Sequence, residues 1–171
     1  MTAGGLIDTS LLRNNQADNG GGALCVVTGV MRHCTIADNL ADVGGGVVLE
    51  DGGRLVGCIV QSNTAFSTGN NYFNNGAGFT YSWCCLSPWL EGEGNTNGSA
   101  GFADRGKRDY RLTGSSVCID AGPSGGGDVP ADLAGVPRPL IGRAGNRPVP
   151  DIGCYEYLTD EADTDGDGMG D

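Results

Sequence analysis

The sequence predicts an all-β fold: a right-handed parallel β-helix, a solenoid with coils of about 24 residues and an irregular C-terminal cap. Two observations predict it. Segments of residues 1–65 align at a spacing of 24 residues, and a fixed period of this length is typical of repeat architectures. Apolar residues form short β-rich runs, such as 24–27 and 47–49, without the i, i+3, i+4 spacing of a helix. Each coil is therefore expected to hold two or three short strands, with like residues stacked about 4.8 Å apart.

Four columns of equivalent residues support the stacking. They are Ser10, Cys34 and Cys58; Leu12, Ile36 and Val60; Asn15, Asn39 and Asn63; and Ala17, Ala41 and Ala65. Asparagine tolerates left-handed backbone and can bond the asparagine of the next coil, so the third column predicts a hydrogen-bonded ladder. Glycine triplets at 20–22 and 44–46 predict tight turns.

The cysteine column, which Cys84 extends, predicts stacked buried thiols that act as small apolar residues. Neighbouring coils bring two cysteines within the Cα range of a disulfide. Parallel strands in register point both side chains in the same direction, however, and free thiols are therefore favoured.

The period divides the chain into a solenoid and a tail. Regular coils are expected over 1–65, a loop-rich coil over 66–101, and over 102–157 a cap that wraps the end of the helix, so that 1–157 form one domain. Residues 158–171 are expected to be an acidic linker of the calcium-binding type. The repeat begins without a capping element, and an open solenoid end exposes core and sheet edges. The chain is therefore expected to belong to a larger secreted multidomain protein, covalently linked to neighbouring domains.

Composition excludes several classes of partner. The formal net charge is −11, and Lys107 is the only lysine, so nucleic acid, whose phosphates need a basic face, is an unsuitable partner. No apolar stretch is long enough to span a membrane, and the first residues lack the pattern of a signal peptide. Seven cysteines leave at least one unpaired. Cys118 and Cys154 are the preferred pair if a disulfide forms, and such a bond would suit an oxidising compartment.

The acidic tail has the spacing of a calcium-binding loop. Asp163, Asp165 and Asp167 occupy positions 1, 3 and 5, Gly168 permits the sharp turn at position 6, and Asp171 falls at position 9. The pattern is similar to thrombospondin type 3 and dockerin-like calcium repeats. The bidentate glutamate of position 12 is missing, so the calcium site is incomplete, and a solvated acidic linker is the alternative.

Asp18, Asp42 and Arg32 are the only candidates for catalysis. Asp18 and Asp42 lie one period apart and would stack on one face, and Arg32 and the single histidine, His33, are close in sequence. Glycoside hydrolysis needs two carboxyl groups, and a lyase needs a base beside groups that neutralise a uronate. Aspartate before glycine is also common where it caps the backbone of a turn. That structural interpretation is favoured, and no catalytic residue is assigned.

Aromatic residues concentrate between positions 66 and 89, and both tryptophans of the chain are among them. Sugar rings stack on exposed aromatic faces, and amide side chains fix sugar hydroxyls, so this region is the candidate ligand-binding surface. Its predicted residues are Tyr72, Trp89, Asn71, Asn74, Tyr81 and Trp83. The alternative is that aromatics cover the edge of the core. That role is expected for Phe66, Phe79 and Trp83, and it stays open for Tyr72 and Trp89.

Four C-terminal motifs carry a family resemblance. They are GKRDYRL at 106–112, GSSVCIDAG at 114–122, DLAGVPRP at 132–139 and DIGCYE at 151–156. In this order they resemble the C-terminal end of secreted bacterial β-helix proteins of the choice-of-anchor Q type. The Gly-Gly-Gly and Asn-x-Ala coils resemble those proteins and the polymorphic outer-membrane repeats. Val117 stands where the family usually has proline. The resemblance implies a β-helix and an extracellular or cell-surface location.

The function predicted is that of a non-catalytic extracellular carbohydrate-binding module for a polysaccharide such as xylan. The chain resembles the β-helical carbohydrate-binding modules attached to glycoside hydrolases such as xylanases, and the long repetitive faces of a solenoid suit extended polymers. Two alternatives stay open. One is a polysaccharide lyase or glycoside hydrolase of the β-helix type, and the other is a surface stalk or adhesin segment without a ligand of its own.

Overall fold

The computed structural model describes residues 4–124, 129–143 and 147–159. These residues form an all-β solenoid of about three turns with coils of about 24 residues, which confirms the predicted parallel β-helix. The strands β1 to β16 are Leu6–Asp8, Leu11–Arg13, Gln16–Asn19, Ala23–Val26, Val30–Arg32, Thr35–Ala37, Leu40–Val43, Val47–Glu50, Arg54–Val56, Ile59–Gln61, Thr64–Thr68, Tyr72–Asn75, Thr80–Ser82, Cys85–Leu86, Phe102–Asp104 and Asp109–Leu112. A short 3-10 helix, Arg105–Lys107, lies between the last two strands.

Strands from successive coils stack into four parallel sheets. Sheet 1 has the order β1-β5-β9-β13, sheet 2 has β2-β6-β10-β14, sheet 3 has β3-β7-β11, and sheet 4 has β4-β8-β12. A full coil thus holds four strands, and the expectation of two or three was wrong. The polar run Gln16–Asn19 escapes prediction because it contains no β-branched or aromatic residue. The register pairs Leu12 with Ile36 and Ile36 with Val60, as predicted from the 24-residue columns.

Each corner between sheets holds a residue with left-handed backbone, which turns the chain without a long loop. These residues are Thr9, His33, Gly57 and Trp83 between sheets 1 and 2; Asn14, Asp38 and Ser62 between sheets 2 and 3; Gly20, Gly44 and Gly69 between sheets 3 and 4; and Val27, Asp51 and Gly76 where the chain enters the next coil. Glycine, asparagine and aspartate adopt this conformation at low cost. The polar and glycine punctuation of the repeat therefore follows from the corner geometry.

The asparagine column forms the predicted ladder inside the corner between sheets 2 and 3. The Oδ1 atom of Asn39 accepts hydrogen bonds of 3.0 Å from the backbone N–H and the Nδ2 of Asn15. Asn63 repeats the arrangement one coil further, and its Oδ1 accepts from the N–H and the Nδ2 of Asn39 at 3.0 and 2.9 Å. Asn71 ends the ladder, because its Oδ1 accepts from both donors of Asn63. A buried row of amides thus bonds each coil to the next.

The cysteine column lies in the core of the solenoid. Cys34, Cys58 and Cys84 are fully buried, and each thiol donates to the carbonyl oxygen two residues before it, at 3.2, 3.4 and 3.3 Å. A hydrogen bond with the Cys58 thiol, together with burial, raises the pKa of Cys34 above its ordinary value. Burial also raises the pKa of Cys58, so the Cys34 and Cys58 thiols stay protonated at neutral pH. The buried column packs as small apolar residues, as predicted.

All seven cysteines are free thiols, so the preferred pairing of Cys118 with Cys154 is wrong for this structure. The two residues have different neighbours. The Cys118 side chain lies beside Cys85 of β14, whereas the backbone N–H of Cys154 donates to the Thr35 hydroxyl oxygen at 3.1 Å. Similar local motifs therefore dock at different coils of the solenoid.

The residues that follow the coils cover the solenoid in two places. The end loop, residues 87–98, covers the C-terminal end: the backbone N–H of Leu86 donates to the carbonyl oxygen of Thr96, whose own N–H donates to that of Cys84. The C-terminal segment, the described residues of 99–157, packs along the outer face of sheet 2. This contact buries a second apolar cluster of Ile59, Cys85, Ala100, Leu112, Cys118, Ile119 and Ile152. The expected end cap is therefore divided, and its larger part lies along the side.

A buried polar network fixes the turns of the C-terminal segment. Arg138 Nε lies 3.0 Å from Glu156 Oε1 in an ion pair that is almost fully buried, although the angle between them is not that of a hydrogen bond. The other oxygen of Glu156 accepts from the N–H of Leu140, and Asp132 accepts from the N–H of Glu156. Burial and the nearby Glu156 charge raise the pKa of Asp151 to about 7. The DLAGVPRP and DIGCYE motifs thus have a structural role.

The first coil is the least buried part of the solenoid. Leu6 and Leu24 are 57% and 52% exposed, and no described residue covers the apolar edge of this coil. Within the described ranges no helix has the length and apolar character needed to cross a membrane.

Candidate functional site

The six predicted binding residues lie at the C-terminal end of the solenoid. They come from β12, β13, the residues that directly flank these strands and the end loop, which form its last layer. Tyr72 and Asn74 stack in register on Val47 and Leu49, two fully buried core residues, so their side chains point into the end of the core. The rings of Tyr72 and Tyr81 are 5.6 Å apart and tilted by 56°. The structure therefore brings the predicted residues together, but several of them face inwards.

Asn71, Tyr81 and Trp83 are engaged in packing. The side chain of Asn71 is buried, and its Nδ2 donates to the Ser87 carbonyl oxygen at 2.6 Å while its Oδ1 ends the ladder. Tyr81 is also buried and donates its hydroxyl to Asn74 Oδ1, and burial raises the pKa of this phenol. The indole of Trp83 lies directly against Gly94 of the end loop. These side chains hold the last layer together and have little surface for a ligand.

Trp89 is the exposed member of the set, with 51% of its surface accessible. Two side chains of the last layer hold the stretch of the end loop that carries it. Asn71 bonds the carbonyl oxygen of Ser87, and the Tyr72 hydroxyl donates to that of Pro88 at 3.2 Å. An exposed indole thus sits on anchored backbone beside a partly exposed phenol. We call Tyr72, Pro88 and Trp89 the tryptophan platform.

Two other aromatics near the core edge differ in outcome. Phe79 packs against the solenoid core, as expected. Phe66 is 70% exposed, and its expected place over the core edge is wrong. It follows Ala65, which pairs in register with Ala41, so its side chain points to the outer face of sheet 3. The alternation of side chains along a strand, rather than the proximity of the core, decides its direction.

The candidate catalytic residues are on two different sheets. Asp18 and Asp42 are exposed on β3 and β7 of sheet 3. Arg32 lies on β5 of sheet 1, where its Nε donates to Asp8 Oδ2 at 2.7 Å. His33 is 2% exposed, and burial, with a contribution from Arg138, lowers its pKa to about 4. The structure does not bring these side chains together into one constellation.

A basic pocket that the sequence analysis missed lies between the solenoid and the C-terminal segment. Its volume is about 300 Å³, and it is lined by Asn14, Asp38, Arg105, Gly106, Arg108 and Tyr110. Asp38 Oδ2 accepts hydrogen bonds from the Tyr110 hydroxyl at 2.8 Å and from Arg105 Nε at 3.1 Å. Burial acts to raise the pKa of Asp38, but the bonds from Arg105 and Tyr110 outweigh it and lower that pKa.

A larger cleft of about 420 Å³ lies within the C-terminal segment, bordered by Tyr155 and Tyr157. Its two acidic residues are engaged by the backbone. Asp132 accepts from the N–H groups of Ala134 and Val136, both at 2.8 Å, and Glu156 accepts from that of Asp151 at 2.9 Å. The acidic groups of this cleft therefore hold turns in place.

The predicted calcium ligands Asp163, Asp165, Asp167 and Asp171 lie outside the described residues. Within the described ranges there is no group of three or more histidine, cysteine or acidic side chains arranged to hold a metal ion. Calcium binding by the tail stays a prediction.

Comparison of the chain with protein-family models, with curated proteins and with solved structures finds no match. The class of protein that the fold defines is the parallel β-helix. The resemblance to the choice-of-anchor Q type stays a hypothesis based on the motifs alone.

Proposed function

We propose that this chain is a non-catalytic carbohydrate-binding module that recognises a polysaccharide such as xylan, within a larger secreted protein. The observation that carries the proposal is the tryptophan platform. Trp89 is half exposed, and the loop on which it stands is bonded to the last coil by Asn71 and Tyr72. A flat, exposed indole on anchored backbone matches the C–H face of a pyranose ring.

The platform's contribution can be bounded. Covering roughly 100 Å² of indole with a sugar removes apolar area from water that is worth about 2.5 kcal/mol. A millimolar dissociation constant corresponds to about 4 kcal/mol. Stacking on Trp89 is thus the main part of a weak interaction, and hydrogen bonds to sugar hydroxyls supply the remainder. Because the loop is already anchored, binding does not have to order it.

Two further features support a polymer as the ligand rather than a small molecule. The tryptophan platform is open, so a long chain can pass over it without threading. The solenoid also continues away from the platform as a ribbed surface with a coil every 4.8 Å or so. Linked copies or partner domains on the same polymer would raise the effective affinity without new contacts.

Affinity electrophoresis through gels that contain soluble xylan, β-glucan or pectin tests the proposal. The protein is expected to be retarded by at least one polymer, and Trp89→Ala is expected to abolish the retardation. Phe66→Ala is the matched control, because it removes an exposed aromatic from the outer face of sheet 3 and should leave the retardation unchanged. Absence of retardation by every polymer would favour a stalk without a ligand. Retardation that survives Trp89→Ala would place the site elsewhere.

A further inference from the structure

The basic pocket concentrates positive charge on an acidic chain. The protein has ten lysine and arginine residues and a formal net charge of −11. Half of these cations lie in the pocket or on the elements beside it. Arg105 and Arg108 line it, and Arg13, Lys107 and Arg111 lie on β2, the 3-10 helix and β16. Arg13 joins the cluster from β2, and the carbon of its guanidinium lies 6.0 Å from the centre of the Tyr110 ring. The fold therefore assembles a local positive field that the chain's overall charge opposes.

Three of the five cations are neutralised by carboxylates. Arg105 pairs with Asp38, Lys107 Nζ lies 3.3 Å from Asp104 Oδ2, and Arg111 Nη2 lies 2.8 Å from Asp109 Oδ2. Arg13 and Arg108 form no ion pair with any described residue. Two positive charges are thus left over, one lining the pocket and the other against the face of Tyr110.

The two remaining cations have different local supports. Arg108 is exposed and follows the 3-10 helix with left-handed backbone, its N–H bonded to the Arg105 carbonyl oxygen. Arg13 donates through Nη1 to Asn14 Oδ1 at 3.2 Å, which leaves the Asn14 Nδ2 as a donor on the pocket wall. Asp38 is the one carboxylate that lines the pocket, and Arg105 and Tyr110 already occupy its oxygens.

We infer that this pocket binds the carboxylate of a uronic acid carried by the polysaccharide, and this inference rests on the proposed function. The planar guanidinium of Arg108 matches the two oxygens of a carboxylate, and the amide of Asn14 supplies a neutral donor beside it. A volume of about 300 Å³ accommodates one sugar side group rather than a long segment of chain. Asp38 opposes a second negative charge, but its engagement by Arg105 limits that repulsion.

Isothermal titration calorimetry with two matched polymers tests the inference. The first polymer is glucuronoxylan, and the second is the same preparation with its carboxyl groups chemically reduced to alcohols. The wild-type protein is expected to bind glucuronoxylan about tenfold more tightly, and the difference is expected to shrink as salt is added, because an exposed charge pair is screened. Arg108→Gln is expected to remove most of the tenfold difference and to leave binding of the reduced polymer unchanged.

Lys107→Gln is the matched control, because it removes one exposed positive charge outside the pocket and is expected to change the affinity less than twofold. Equal binding of both polymers, lost in Trp89→Ala, would overturn this inference and leave the proposed function intact. No heat with either polymer, together with no retardation by any polymer in affinity gels, would overturn the proposed function itself. Sulfate or phosphate that competes as strongly as free glucuronate would identify a general oxyanion pocket and overturn the assignment to a uronate.

Discussion

Replacing Asn39 with alanine removes the middle rung of the asparagine ladder and tests what holds the coils together. Asn39 is 2% exposed. Its Oδ1 accepts from the N–H and the Nδ2 of Asn15, and its Nδ2 donates to the Leu12 carbonyl oxygen and to Asn63 Oδ1, both at 2.9 Å. Alanine leaves the carbonyl of Leu12 and the N–H of Asn15 without these partners.

The magnitude follows from the number of groups left unsatisfied. A buried polar group that loses its partner costs about 1–3 kcal/mol. The substitution leaves two such groups unsatisfied and also removes the hydrogen bond between the amides of Asn39 and Asn63. The free energy of unfolding is therefore expected to fall by about 3–5 kcal/mol, a large share of the roughly 5–15 kcal/mol of a typical domain. Asn15→Ala is the control, because Asn15 is exposed and forms the first rung of the ladder, at the opposite end from Asn71. This substitution is expected to cost about 1 kcal/mol or less.

Urea unfolding followed by far-ultraviolet circular dichroism measures both variants. The slope of the unfolding free energy with urea should match that of the wild type, so that the change in midpoint reports stability. If Asn39→Ala falls within about 1 kcal/mol of Asn15→Ala, the ladder is not what couples the coils, and the reasoning fails.

Two further predictions concern the corners of the coils. His33 is held neutral by burial with a pKa of about 4, so the unfolded state gains a proton first as pH falls below about 6.5. The unfolding free energy should therefore drop by about 3 kcal/mol between pH 6.5 and 4 relative to His33→Asn. Asp151, whose pKa is raised to about 7, has the opposite effect, because its contribution to stability is lost as pH rises towards 7. This contribution is the same in the wild type and in His33→Asn, so it cancels in the difference between them. Equal pH profiles of the two proteins in urea unfolding would contradict the assignment. Gly45→Ala should lower the melting temperature sharply, because a Cβ there would lie 2.2 and 2.5 Å from two backbone oxygens, a clash that costs about 2 kcal/mol or more. Gly5→Ala meets nothing within 4 Å, and a similar melting temperature for both variants would refute the argument.

The parts of the fold that repeat could be predicted from sequence. The pairing of Leu12, Ile36 and Val60, and the bonding of Asn15 to Asn39, follow from a 24-residue spacing. Residues one period apart lie in adjacent coils, so the 24-residue spacing alone determines these neighbours. The candidate binding surface lies where this period fades, and only the concentration of aromatic residues between 66 and 89 indicated it from the sequence.

The parts that do not repeat could not be predicted. Asn71 follows Asn63 by only eight residues, yet it supplies the next rung of the ladder. It does so from the column of Gly22 and Gly46, where the absence of a side chain makes room for the amides of Asn39 and Asn63. Asn71 departs from the glycine column and completes the asparagine ladder from a different strand, so no 24-residue spacing reveals its role.

The basic pocket was hidden for a related reason. Its central contact joins Asp38 to Arg105, which are 67 residues apart, and Arg13 reaches Tyr110 from the other end of the chain. Such contacts depend on where the C-terminal segment crosses the coils, and neither composition nor spacing determines that path. The sequence indicates only that cations gather between 105 and 111.

The course of the C-terminal segment decides how the molecule comes apart. A stack whose layers touch only their neighbours can unzip from either end, one layer at a time. Here the C-terminal segment bonds two neighbouring coils: it contacts Asp38 through Arg105 and Thr35 through Cys154 in the second coil, and the carbonyl of Gly57 through Gly153 in the third. Neither coil can unfold separately while these contacts hold, so the C-terminal segment has to detach first. The protein is therefore expected to unfold in one cooperative transition and not coil by coil from an end.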